Sequence, residues 1–196
     1  MAVNLQKGQK VDLRKSDGST LRRVMIGLGW DAAKTGGGFF TRRTQNIDCD
    51  ATVFACMNGK LESIDDVVYY GNLKHKSGCI VHMGDNLTGD GEGDDEQIFV
   101  NLDALPKTYD KIIFVVNIYN SHERGQHFGM IQNAFIRIVD DETHNELCRY
   151  NLTENYEGMT AMVFGEIYLR NGQWKFNAIG QGTKDASIDE LAMRFR

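Results

Sequence analysis

Short runs of alternating apolar and polar residues recur along the chain, broken by glycine, asparagine and aspartate, which is the pattern of strands with one buried face. Val3 to Leu5, Val11 to Leu13 and Leu21 to Trp30 open the series. Val53 to Cys56 runs into Asn58-Gly59, a strong hairpin signal, and returns through Lys60 and Leu61. Val67 to Tyr70, Cys79 to His82 and Gln97 to Leu102 follow. Ile112 to Tyr119 is almost continuously apolar, as expected of a central strand covered on both faces. Gln132 to Val139, Glu146 to Leu152, Ala161 to Tyr168 and Trp174 to Ile179 complete the set, with Asp140-Asp141 and Asn171-Gly172 as turns. Ser121 to Gly125 reads as one helical turn or as irregular chain. Near the end, Ser187 and Glu190 form a capping box that opens an amphipathic helix with Ile188, Leu191, Ala192 and Phe195 on one side. The expected fold is all-β, a β-sandwich of about ten short strands with a short C-terminal helix. No internal duplication or linker divides it, so residues 1–196 are expected to form a single domain.

One stretch breaks the pattern. Residues 84–96, GDNLTGDGEGDDE, hold Asp85, Asp90, Glu92, Asp94, Asp95 and Glu96 among four glycines, with no lysine or arginine. Such a run reads either as a solvated acidic hairpin tip or, as the glycines and the interspersed Asn86 and Thr88 favour, as a site for a hard divalent cation. Ca²⁺ takes about six to eight oxygens from carboxylates, amides and backbone carbonyls in irregular geometry. Glycine lets the chain turn tightly enough to aim several oxygens at one point. Counting twelve residues from Asp85 puts Glu96 where an EF-hand has its bidentate glutamate. Leu87 and Gly89 fall at ligand positions of that loop, however, and the next residues alternate as a strand. The stretch therefore reads as a loop on a β-scaffold. A second acidic feature precedes it: in extended chain Asn46, Asp48 and Asp50 project from one face.

Net charge is −5 although the acidic stretch alone carries −6, so the remainder is nearly neutral and lacks the broad basic face of a nucleic-acid-binding protein. No apolar run approaches the length of a membrane span. The opening residues, MAVNLQKGQKVDL, contain no apolar signal region, and a cytoplasmic location is expected. Cys49, Cys56, Cys79 and Cys148 form no C-x-x-C pair and read as buried reduced thiols. Residues 34–45 form a glycine-rich insertion, read as exposed and mobile, with Phe39, Phe40, Arg42 and Arg43 available to a partner.

GLGWD at 27–31, D-x-D-A at 48–51, the thirteen residues 84–96, F-V-V-x-I at 114–118, N-A-F-I-R at 133–137 and W-K-F-x-A-x-G-Q-G at 174–182 together resemble the TerD family. The resemblance spans nearly the whole chain in order. It implies a bacterial cytoplasmic protein of the tellurium-resistance and general stress-response type: a β-sandwich that binds Ca²⁺ through acidic loops at one end, with no established catalytic activity. Carried across, it implies that residues 46–50 face the acidic stretch with Asp31 and Asn72 nearby. The candidate ligands are then Asp31, Asn46, Asp48, Asp50, Asn72, Asp85, Asn86, Thr88, Gly91, Asp94, Asp95 and Glu96. The carboxylates exceed one ion's needs, so two Ca²⁺ ions are expected. The chain departs from the family in having Asn46 where aspartate is usual, and in a longer loop between Trp30 and Asn46.

The expected role is a non-enzymatic docking surface for other proteins of a tellurium-resistance or stress complex, membrane-linked or not, with no nucleic-acid partner. Two alternatives stand beside it. One is a metal-dependent hydrolase or phosphotransferase with His82 as a base. The other is a calcium-dependent binder of anionic lipid, with Phe39, Phe40, Arg42 and Arg43 at its tip.

Overall fold

A computed structural model describes residues 2–15, 17–32, 47–84 and 93–196. Among them lie twelve strands: β1 (Val3–Leu5), β2 (Lys10–Asp12), β3 (Arg23–Ala32), β4 (Cys49–Met57), β5 (Val67–Val68), β6 (Ile80–His82), β7 (Glu96–Asn101), β8 (Tyr109–Ile118), β9 (Ile131–Asp140), β10 (Glu146–Asn151), β11 (Ala161–Arg170) and β12 (Gln173–Thr183). Two short helices, α1 (Ser121–Arg124) and α2 (Ile188–Met193), complete the main elements. The strands form two six-stranded sheets, ordered β1-β10-β9-β3-β7-β6 and β2-β12-β11-β8-β4-β5. All pairings are antiparallel except β1 with β10. The chain is thus the β-sandwich with a C-terminal helix that its alternation implies.

The period-two rule decides what lies between the sheets. From the first sheet Val24, Ile26, Leu28 and Trp30 of β3 point inward with Ile98 and Val100 of β7. They meet Cys49, Ala51, Val53 and Ala55 of β4 and Phe114, Val116 and Ile118 of β8. The alternate residues of the second sheet, Phe54, Ile113, Val115 and Val163, form a smaller apolar cluster on its outer face with Leu191 and Ala192 of α2. Every residue from Ile112 to Ile118 is therefore buried, which is why that run has no polar alternation. Ser187 caps the helix, its Oγ accepting from the Glu190 N–H at 3.2 Å, while Glu190 Oε2 reaches back one residue past the cap to accept from the Ala186 N–H at 2.7 Å.

Local departures have simple causes. Asn58 and Gly59 take left-handed φ of 52° and 76°, as a two-residue hairpin turn requires. Past that turn Lys60 bridges back to Met57, and the Leu61 N–H donates to the Phe195 carbonyl at 2.7 Å. The strand expected over 67–70 shortens to Val67–Val68, since Tyr69 and Asn72 bond each other across a tight turn. Cys49, Cys56 and Cys148 are buried free thiols, and Cys79 is partly exposed. No helix among the described residues is long and apolar enough to cross a membrane.

Candidate metal site at the acidic end

Register brings the acidic residues to one end of the sandwich. Leu28 near the end of β3 pairs with Glu96 at the start of β7, and Asp50 at the start of β4 pairs with Asn117 near the end of β8. Of the residues expected to form the site, Asp31, Asp48, Asp50, Asn72, Asp94, Asp95 and Glu96 are described; Asn46, Asp85, Asn86, Thr88 and Gly91 lie outside the described residues, as do Phe39, Phe40, Arg42 and Arg43.

The three consecutive acids at 94–96 turn to different partners. Glu96 is buried between the sheets, where Oε2 accepts from the Ala51 N–H at 2.8 Å and lies 3.2 Å from His82 Nε2. The Gly84 N–H donates to His82 Nδ1 at 3.1 Å, so that nitrogen carries no proton and Nε2–H points at Glu96. Both ends of the acidic stretch are thereby tied through one imidazole. Asp95 accepts from the Trp30 N–H at 2.7 Å and donates its own N–H to the Leu28 carbonyl at 2.8 Å. This bonding sits where the β3–β9 register shifts, between Gly29 and Asp31.

Asp94 folds back over the outer face of the first sheet. Both its oxygens are held by Arg137, from Nε at 2.7 Å and Nη2 at 2.8 Å, and Gln97 Nε2 donates at 3.2 Å. Its side chain is wholly buried. The Asp94 carboxylate, with Glu146 and despite partial burial, raises Arg137 above the ordinary arginine range. This arrangement requires Gly27: a Cβ there would stand 2.2 Å from Asp94 Oδ1.

Asp50 alternates with inward-facing Cys49 and Ala51, so it lies on the outer face of the second sheet, across the sandwich from Asp94. It is 4% exposed. Asp48 is half-buried, with Arg124 Nη1 at 3.8 Å from its Oδ2, and its carbonyl accepts from the Tyr119 N–H at 2.8 Å. Between them Cys49 is wholly buried, and burial pushes its thiol well above the usual range. The nearby charges of Asp50, Glu96, Asp48 and Asp95 push the thiol the same way. Such a thiol is protonated and inert.

Two further expected members are engaged by neighbours of their own. Asp31 is exposed and accepts from Asn133 Nδ2 at 2.7 Å. Asn72 uses its amide nitrogen to hold the Val67 carbonyl at 2.8 Å, fixing the turn after β5. Among the described residues, no three histidine, cysteine or carboxylate groups converge closely enough to hold an ion by themselves.

Sequence reasoning did not single out Arg137, Arg124 or Asn117. Asn117 did carry a signal, as the one polar residue inside the apolar run 112–119. It is buried, and its Oδ1 accepts no hydrogen bond among the described residues.

A family model for the TerD domain matches residues 1–195. The chain is 49% identical to stress response protein SCP2 of Bacillus subtilis, over the full length of both. It is 47% identical to the tellurium resistance protein TerD of Serratia marcescens, covering 93% of this chain and 91% of that one. A crystal structure of a Streptomyces coelicolor homologue of the telluride resistance protein TerD superposes with a TM-score of 0.65 at 21% identity, over 88% of this chain and 95% of that one, a likeness of fold. On the family model and on these relatives, the chain belongs to the TerD family.

Proposed function

We propose that this chain is a TerD-type stress-response protein that performs no catalysis of its own, binds calcium at the acidic end of its sandwich, and presents that end to other proteins of a stress or tellurium-resistance complex. The names of relatives close to half identical over most of their length support the general role: they describe stress response and tellurium resistance. The observation that carries the metal reading is the hydrogen bond from the Ala51 N–H to Glu96 Oε2, which ties the end of the acidic stretch to the strand that bears Asp50.

The donor chemistry fits. These side chains offer hard carboxylate oxygens, and calcium accepts such oxygens in irregular arrays of about six to eight. Asp48, Asp50 and Asp95 would hold the metal together with residues of the 84–92 stretch, and these three carboxylates with Asp85, Asp90 and Glu92 carry charge enough for two ions. Glu96 anchors that set to both sheets. Asp94 suits a supporting role, because Arg137 already takes both its oxygens. Bound calcium would supply positive charge where carboxylates crowd, which stabilises the folded chain by mass action, since the unfolded chain has no assembled site.

Thermal unfolding with and without calcium tests the reading. Calcium at about a hundredfold above its dissociation constant adds roughly 2.7 kcal/mol to a one-site protein. A clear rise in Tm is therefore expected, with no rise for Asp48→Asn combined with Asp50→Asn. An equal rise in the double variant would remove these residues from the site.

A further inference from the structure

A cleft of about 310 Å³ opens on the outer face of the second sheet, at the small end of the range for ligand pockets. Asp50 and Asn117 line it from β4 and β8, Asp189 from α2, and Ile64, Tyr70 and Tyr119 from the surrounding chain. The chemistry of these walls is divided. Asn117 is 5% exposed, and its Oδ1 is a buried acceptor that receives no hydrogen bond among the described residues. Buried acceptors are nearly always satisfied, so this one calls for a donor from outside. Beside it is the Asp50 carboxylate, and the Asp189 carboxylate stands nearer the opening.

The rim is apolar and exposed. Ile64 is 54% exposed, Tyr70 46% and Tyr119 41%, three of the chain's exposed large apolar side chains gathered at one opening. The Tyr119 ring already attracts a guanidinium, since Arg124 Cζ lies 5.3 Å from its centroid. An anion is repelled by this floor. A hydrated metal ion makes no use of the rim, and an uncharged apolar ligand offers Asn117 nothing. The group that satisfies both parts has a charged, donating head on an apolar stem.

We propose that the cleft binds an organic cation of this kind, an ammonium or guanidinium head carried on an aliphatic chain. Its source is either an arginine or lysine side chain of a partner protein or a polyamine. The head donates to Asn117 Oδ1 and pairs with Asp50, while the stem lies against Tyr70, Tyr119 and Ile64. The inference does not rest on the calcium reading; where both hold, Asp50 gives one carboxylate oxygen to the metal and the other to the cation, so neither displaces the other.

The test is titration of the full chain with acetyl-arginine amide, spermidine and acetyl-norleucine amide, followed by amide NMR spectra in chelator and again in calcium. Saturable shifts at Asn117, Tyr70 and Tyr119 are expected for the two cations in both conditions, and none for the uncharged norleucine amide. Asn117→Leu replaces an unsatisfied acceptor with an apolar group of similar size, so the fold is expected to persist while binding weakens about tenfold. Tyr70→Ala, at an exposed position, is expected to weaken it several-fold. Tighter binding of acetyl-arginine amide than of spermidine marks a partner side chain, and the reverse order marks a polyamine. No saturable shift with either cation, equal binding of norleucine amide, or unchanged affinity in Asn117→Leu overturns the proposal. Competitive displacement by calcium overturns it too, by giving the cleft to the metal. Calcium-induced shifts without any cation report the metal reading separately.

Discussion

Glu96 Oε2 lies 2.8 Å from the backbone nitrogen of Ala51, so one carboxylate of the first sheet closes the backbone of the second. The same oxygen lies within hydrogen-bond reach of His82 Nε2. The sandwich is thereby pinned at the end where the acidic stretch leaves and returns.

Removing that carboxylate leaves two buried donors to find other partners. Glu96→Ala is expected to cost about 1–3 kcal/mol, the usual penalty for a buried polar group left unsatisfied. Glu96→Gln keeps a carbonyl acceptor and is expected to cost less. Urea unfolding of the three proteins checks this order. A Glu96→Ala variant within about 0.5 kcal/mol of the parent, the range of ordinary surface changes, would show that the link carries no stability.

Gly27, Asp94 and Arg137 act as one unit. Gly27→Ala puts a methyl group where the Asp94 carboxylate now lies, and overpacking of this kind costs about 1–3 kcal/mol. Most of that cost is expected to vanish when Asp94 is already alanine, because the clashing atoms are gone. A double-mutant cycle by chemical denaturation measures the coupling. Arg137→Lys, which cannot reproduce the two-pronged contact, is expected to lose about 1.5–3 kcal/mol. Additive effects of Gly27→Ala and Asp94→Ala would contradict the arrangement.

Stability is expected to depend on pH through His75. The Ser77 N–H donates to His75 Nδ1 at 3.2 Å, so the buried ring is neutral and its Nε2–H faces Asp66 Oδ1 at 3.1 Å. Burial lowers its pKa below the ordinary 6.5, although Asp66 pulls the other way. The unfolded chain therefore takes up this proton first, and stability falls as pH drops below about 6.5. Burial alone would raise Asp66, but hydrogen bonds from Lys76, Tyr109 and His75 outweigh it and hold the carboxyl below 3.8. Its contribution is present above about pH 3.8 and is lost as pH falls through the lower folded value. Urea midpoints measured from about pH 7 to about pH 5 should fall more steeply for the parent than for His75→Gln. Identical slopes would contradict a neutral buried ring.

Strand positions were legible because alternation survives wherever one face is solvated, and the continuous run at 112–118 because both faces are covered. Asn58-Gly59 and Asn171-Gly172 announced their hairpins through the left-handed backbone they adopt, with φ of 52° and 76°, and 53° and 73°. That residues 46–50 face the acidic stretch came from the family resemblance, because alternation gives the strands and not which strand ends meet. The division of labour within the acids was not legible. Adjacent residues in extended or turning chain face different ways, so Asp94, Asp95 and Glu96 meet Arg137, Trp30 and Ala51 separately. Arg137 is 43 residues from Asp94, and composition alone gives no sign that they meet. Asn117 was passed over because an apolar run hides a single polar member, and the meaning of that member depends on what the neighbouring strand places beside it.

Calorimetric titration of calcium into metal-stripped full-length protein tests the central claim most directly. Saturable uptake of calcium is expected, lost when Asp48→Asn and Asp50→Asn are combined. Absence of any binding heat at millimolar calcium, with the chain folded, would contradict the account.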